Sequence, residues 1–285
     1  MDDIITTFST ALAAEGKSKN TIKNYIVAVK QLLRAHKNNI DKITQESLDT
    51  FFSRFNSRNQ TQNFKKNAVN KFLAFLYARK RVKTPFKAPI KSVTMAEAEY
   101  LTNVEQERFF EVLRANPKLI RDYTLFSVMY YTGMRISEVL NLKIKDFQDN
   151  HLAIHDSKTG PGKPFVRKKL SDILVNYLQE LQNVQNLGRQ DYIFQSGRRH
   201  KLTERWVQLT IKKYLRLAGI QKEITPHSLR HTFALNLLKS SGNITIVQRA
   251  LRHKHIQSTM RYAHIADKEV ESAIERSINI PKNKF

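Results

Sequence analysis

Between residues 82 and 100 the chain loses the periodicity that it shows on either side. The stretch VKTPFKAPIKSVTMAEAEY holds two of the seven prolines in 285 residues. Proline lacks an amide donor and disfavours helix at the residue before it, so no continuous helix can cross this stretch. The chain is therefore expected to fold as two bodies, and its length suits two ordinary domains. The expected division is residues 1–82, a linker at 83–100, and a larger domain at 101–285.

The first body reads as helices only. SKNTIKNYIVAVKQLLRAHK sets Ile22, Tyr25, Ile26, Val29, Leu32 and Leu33 at three-to-four spacing, a single apolar stripe. Thr44 is placed to cap TQESLDTFFSRF. A third helix, about 60–80, gathers Phe64, Ala68, Phe72, Phe75 and Leu76 on one face. Lys65, Lys66, Lys71, Arg79 and Lys80 project elsewhere, as a solvated surface or as a face for phosphates.

The second body opens with a capping box at Thr102 and Glu105 and runs through two helices to about 142. A strand pair is expected near 151–156 and 164–170, around the turn residues of SKTGPGKP, with a short strand at 192–194. More helices follow, ending in one over 267–279 with Val270, Ile274 and Ile278 on one stripe. The fold class is mainly α with a small β-sheet.

Charge narrows the partners. Forty-nine Lys and Arg against 25 Asp and Glu give +24. Residues 1–100 contribute 18 basic and 8 acidic side chains, leaving 31 and 17 for the rest, so both bodies are basic. Such a field favours a polyanion, because each neutralised phosphate releases condensed counterions. With no cysteine, neither disulfides nor thiolate metal sites can form. No apolar run is long enough for a membrane span and the N-terminus is acidic, so a cytoplasmic setting is expected.

The chemistry concentrates in TPHSLRHTFALNL (225–237). His227 and His231 at i and i+4 share a helix face, as zinc ligands do, but Ser228 stands where a zinc protease needs its glutamate. Arg230 between them would repel a cation, so no metal is expected. A phosphate fits better: His227 and Arg230 are three residues apart, and arginine offers a fork of donors matched to phosphate oxygens. Three other segments supply similar groups. Arg135 in YYTGMRISEVLNL follows a Thr-Gly break at a helix start, Lys158 sits at the hairpin tip, and ALRHKHIQSTMRYAHI carries His253 and Tyr262.

Taken in order, these segments resemble the tyrosine recombinases of the phage-integrase family. TGMRISEVLNL matches the first arginine box, SKTG the hairpin lysine, HSLRHTFA the H-x-x-R box, and LRHKHIQSTMRYAH the box of the second histidine and the nucleophile. The likeness covers roughly residues 100–265, and NTIKNY with its neighbours resembles the family's helical, SAM-like core-binding domain. It implies an α+β catalytic domain in which Tyr262 is the nucleophile and Arg135 and Arg230 clamp the scissile phosphate. Lys158 is then the hairpin lysine, favoured over Lys163, and His227 and His253 are the active-site histidines. Glu138 and His231 have supporting places, and Lys65, Lys66, Lys71 and Arg252 are candidate DNA contacts. The family usually has Leu-Gly-His where this chain has Leu251, Arg252 and His253, so a changed turn or an added phosphate contact is expected there.

The resemblance implies cleavage through a 3′-phosphotyrosine and exchange through a Holliday junction, with neither cofactor nor metal. The implied partners are double-stranded DNA carrying short inverted core sites and three further copies of the chain, joined through the C-terminal helix, with accessory proteins in some systems. Element integration, cointegrate resolution and dimer resolution all use this machinery. The rival readings are a type IB topoisomerase-like enzyme and a catalytically silent DNA binder.

Overall fold

A computed structural model describes residues 2–54, 59–82, 85–90, 99–115, 120–155, 157, 160–197 and 199–277. The chain divides into two compact units, Met1–Ala96 and Glu97–Phe285.

Among the described residues, unit 1 contains four α-helices: α1 (Asp2–Ala14), α2 (Lys19–Ala35), α3 (Gln45–Ser53) and α4 (Asn59–Ala78). The expected stripe of α2 turns Val29, Leu32 and Leu33 into a core that also takes Phe72, Leu73 and Leu76 of α4. Thr44 caps α3 in a full capping box with Ser47. Helix α1, which the polar reading of the N-terminus passed over, seals this core with Phe8 and Leu12. Phe8 meets Phe72 and Phe75 edge-on, each at 5.1 Å.

Two expectations for this unit need correction. Lys66 is not a surface contact for DNA. It is buried, its Nζ donates to the Pro89 carbonyl at 2.8 Å, and it lies 5.6 Å from the Phe52 ring centre. The cause is the start of the expected linker, which folds back over α4. Ala88 exchanges two hydrogen bonds with the Asn70 amide (2.7 and 2.9 Å), and the Lys87 amide donates to Gln45. The linker is therefore shorter than 83–100 at its start. Lys71 is half-exposed and ion-paired to Glu15 at 2.8 Å, while Lys65 is half-buried.

Unit 2 surrounds α6 (Ile120–Thr132), buried along most of its length and packed against α5 (Asn103–Arg114), α8 (Lys168–Val184) and α10 (Pro226–Ser241). Thr102 and Glu105 form the expected capping box of α5. The short α7 (Ile136–Leu140) leads to a two-stranded antiparallel sheet, β1 (Phe147–Gln148) and β2 (His151–Leu152), pairing Phe147 with Leu152 and Gln148 with His151. Single bridges from His151 to Phe165 and from Ile154 to Gly162 extend it into a hairpin. The expected strand 164–170 is cut short because α8 begins at Lys168, where Leu170, Leu174 and Tyr177 already follow helical spacing into the core. Residues 192–194 form no strand; Tyr192 makes one bridge to Lys143.

After α9 (Glu204–Leu217) and α10 come α11 (Ile244–Leu251) and α12 (Gln257–Ser277). The helix expected over 267–279 is the continuation of α12, the helix that carries Tyr262. The side chains of Val270 and Ile274, and all of Ile278, lie outside the described residues. Among the described residues, no helix is long and apolar enough to cross a membrane.

Candidate active site

Four local structures present the site. Helix α6 ends at Thr132, and Gly133 turns the chain with φ +61°; a Cβ there would fall 2.4 Å from the Phe233 ring. Two residues later Arg135 is the N-cap of α7. Glu138 caps it in return: its Oε2 accepts the Arg135 amide at 2.9 Å and its Oε1 accepts Arg135 Nη1 at 3.0 Å.

Helix α10 starts with Thr225 and Ser228 in a capping box and Pro226 in the first turn. Ser228 thus has a structural task where the zinc-protease pattern would need glutamate. Arg230, 5% exposed, points from this helix between two loops, with Nη1 donating to the Gly133 carbonyl and Nη2 to the Leu251 carbonyl at 2.6 Å. One residue on, His231 Nδ1 lies 2.8 Å from the Tyr262 hydroxyl, and the Tyr262 ring is 1% exposed among Leu235, Val247, Leu251 and Ile265. His227 stands exposed at the mouth, in the first turn.

Helix α11 ends in a left-handed turn at Arg252, φ +54°, where the His253 amide donates to Gln248 O and the Arg252 amide to Arg249 O. His253 Nδ1 bonds the buried Thr259 hydroxyl at 2.8 Å. Arg252 turns inward: Nη2 donates to Glu138 Oε2 at 2.5 Å. It was expected as a contact for DNA; here its partner is a protein carboxylate, because the turn aims the side chain at α7.

These groups share one electrostatic field. Burial would raise the Glu138 carboxyl, but the Arg135 amide and the Arg252 and Arg135 guanidinium groups outweigh it and hold Glu138 below the usual range. Burial, with Arg135 adding repulsion, weakens the proton affinity of Arg230 to about 10, still a cation at neutrality. His253 falls to about 4 through burial and the charges of Arg230, Arg135 and Arg261. His231 also falls to about 4, through burial and then Arg261, His227 and Arg230. Desolvation, Arg230 and Arg135 lower His227. Burial raises the Tyr262 phenol, and Arg230 and Arg261 pull it partly back.

The structure thus gathers Arg135, Glu138, His227, Arg230, His231, Arg252, His253 and Tyr262 around one place. Lys158 lies outside the described residues; Lys163 is exposed on the hairpin. Thr259, Gln248 and Arg261 escaped the sequence reading. Arg261 is legible only as the neighbour of Tyr262, and Thr259 has no signal beyond its hydroxyl. A half-buried, neutral histidine thus lies within hydrogen-bond distance of a phenol, with guanidinium groups close by that could hold an anion.

Comparisons with known proteins place both units in one family. A model of the Phage integrase family matches residues 99–269, and one of the Phage integrase, N-terminal SAM-like domain, matches residues 4–85. The tyrosine recombinase XerA of Pyrococcus furiosus is 28% identical over 292 residues, covering 96% of this chain and 94% of the relative. A crystal structure of XerA recombinase aligns over 100% of this chain and 99% of that one, with 26% identity and a TM-score of 0.56. A lambda integrase tetramer bound to a Holliday junction shares the fold, with a TM-score of 0.76, 17% identity, and coverage of 92% and 76%. Over well more than half its length, the chain matches one family model, and it belongs to the phage integrase family.

Proposed function

We propose that this chain is a site-specific DNA recombinase that cuts and rejoins strands through Tyr262. The Tyr262 oxygen attacks a backbone phosphorus, the bond from phosphorus to the 5′ oxygen breaks, and a 3′-phosphotyrosine and a 5′-hydroxyl result. The phenol proton passes to a histidine: His231, with Nδ1 2.8 Å from the hydroxyl, is the acceptor proposed, with His227 as its neighbour. Arg135 and Arg230 stabilise charge on the non-bridging oxygens, and such donors are each worth about 3–4 kcal/mol in a transition state. His253 donates a hydrogen bond to the phosphate, and Lys158 protonates the departing 5′ oxygen. A new 5′-hydroxyl then attacks the phosphotyrosine, so strands are exchanged with the bond energy retained.

The observation that carries this reading is the Tyr262 hydroxyl held against the residue next to Arg230, inside the field of that arginine. Assembly on DNA follows by likeness: the lambda integrase relative is a tetramer on a Holliday junction. A tetramer on two paired core sites, with the end of α12 reaching a neighbouring copy and accessory proteins where the site requires them, completes the scheme. The enzyme works where the DNA is, in the cytoplasm. Integration, cointegrate resolution and dimer resolution are the tasks open to it.

The test is Tyr262→Phe on a DNA fragment that the purified protein selects. The variant is expected to bind as the unaltered protein does and to form no covalent adduct after denaturation. An adduct from the variant would move the nucleophile elsewhere. Relaxation of supercoils without exchange between two sites would turn the reading toward a topoisomerase, and neither activity toward a silent binder.

A further inference from the structure

Arg252 occupies a turn that suits glycine. Its φ of +54° lies in the left-handed region, which L side chains enter at a cost. The side chain is committed on two sides. Nη2 donates to Glu138 Oε2 at 2.5 Å, and that carboxylate, 1% exposed, also receives the amide and Nη1 of Arg135. On the other side the guanidinium lies over Gly162 of the hairpin: a Cβ there would fall 2.7 Å from Arg252 Nη1 and 2.8 Å from its Cδ. Gly162 has no positive φ, so close approach is what calls for glycine. Nη1 itself is buried and has no hydrogen-bond partner among the described residues.

We propose that Arg252 is a positioning residue for strand cleavage, tying the α11 turn to Glu138, and through Glu138 to Arg135, while seating the hairpin on Gly162. This rests on the reading of Tyr262 as nucleophile. The Arg135 amide and guanidinium hold Glu138 from its own helix start only. A second guanidinium from another loop fixes the carboxylate, and a fixed carboxylate fixes the Arg135 fork. The same contact joins three loops around the proposed phosphate site: the α6–α7 turn, the hairpin at Gly162, and the turn that presents His253.

The experiment measures single-turnover adduct formation and DNA affinity for the unaltered chain, Arg252→Gly, Arg252→Lys, Glu138→Gln and the Arg252→Gly/Glu138→Gln double variant. Glycine suits the left-handed turn, so Arg252→Gly is expected to fold, which urea unfolding checks. We expect it to cleave about tenfold more slowly at unchanged DNA affinity. Lysine, which keeps the charge but cannot hold Glu138 and cover Gly162 together, should fall between. The double variant should be no slower than the slower single one, because both changes break one link. Effects that multiply would show that Arg252 acts independently of Glu138. A fall in affinity matching the fall in rate would make it a direct phosphate contact, and a wild-type rate for Arg252→Gly would remove its role. Each of those results overturns the proposal. No adduct from the unaltered chain would instead fail the underlying reading of Tyr262, and the positioning role with it.

Discussion

Replacing Arg230 should damage the fold and the chemistry by separate, measurable amounts. Its guanidinium donates to the carbonyls of Gly133 and Leu251, one in the turn before Arg135 and the other beside Arg252 and His253. A hydrogen bond from a charged donor contributes about 1.5–3 kcal/mol, so Arg230→Ala should lose about 3–6 kcal/mol of stability. Domain stabilities run to about 5–15 kcal/mol, so the variant should remain folded under mild conditions. Arg230→Lys keeps the charge and can reach one carbonyl, which halves the loss to about 1.5–3 kcal/mol. Both variants should lose a further factor of about 10²–10³ in cleavage, the effect of removing one preorganised donor to a developing negative charge. Urea unfolding reads the first quantity, and single-turnover adduct formation in conditions where each variant is folded reads the second. An unchanged unfolding midpoint would refute the stapling of the two loops. A cleavage rate that falls only in step with DNA affinity would reduce Arg230 to a backbone anchor.

Two further outcomes are expected. His231 and His253 have folded pKa values of about 4, below the ordinary histidine value of about 6.5. The fold therefore favours the neutral rings: this stabilisation is complete above pH of about 6.5 and is lost as pH falls toward about 4. Urea unfolding from pH 7.5 downward should show the decline, with His231→Gln flattening it; an equally steep decline in that variant would place the titrating group elsewhere. Lys66→Met should destabilise unit 1 by about 1–3 kcal/mol by leaving Pro89 O unpaired. It should leave the salt dependence of DNA binding unaltered, and a slope reduced by about one would put Lys66 on a phosphate after all.

What the sequence discloses depends on how far apart the interacting residues lie. The cap at Thr44 and the capping box at Thr102 are each complete within four residues, and both form as read, Thr44 with Ser47 closing a box as well. The α2 stripe was legible for the same reason. Lys66 was misread because periodicity tells which way a side chain leaves its helix, not that residues 87–89 return across that face. The strand expected at 164–170 failed because KPFVRKKL suits either element, and only the helical spacing of Leu170, Leu174 and Tyr177 decides. In the site, motif order pointed to residues that the structure brings together, whereas their mutual bonds span distances that no local pattern encodes. Glu138 meets Arg252 across 114 positions, and Arg230 reaches Gly133 across 97. His231 had only a supporting place in the sequence reading, yet it touches the phenol, because one helical step past Arg230 turns its ring toward α12.

The electrostatics of this cluster explain why it is built from histidines and arginines together. Arg135, Arg230, Arg252 and Arg261 lie close enough to shift the same groups, and like charges in a partly buried site repel. The fold tolerates them by two means. Glu138 accepts from two of the arginines, and the histidines stay neutral in the field that surrounds them. Lysines or further arginines in those places could not shed their charge so readily, since their ordinary proton affinities lie far above neutrality. An anion among the arginines offsets the repulsive part of these shifts, burial supplying the rest, so in the proposed reaction the proton affinity of His253 and His227 rises as a phosphate enters. On the proposed reading, the histidines spare the site their charge until a phosphate enters and then serve as donors to it while Tyr262 attacks.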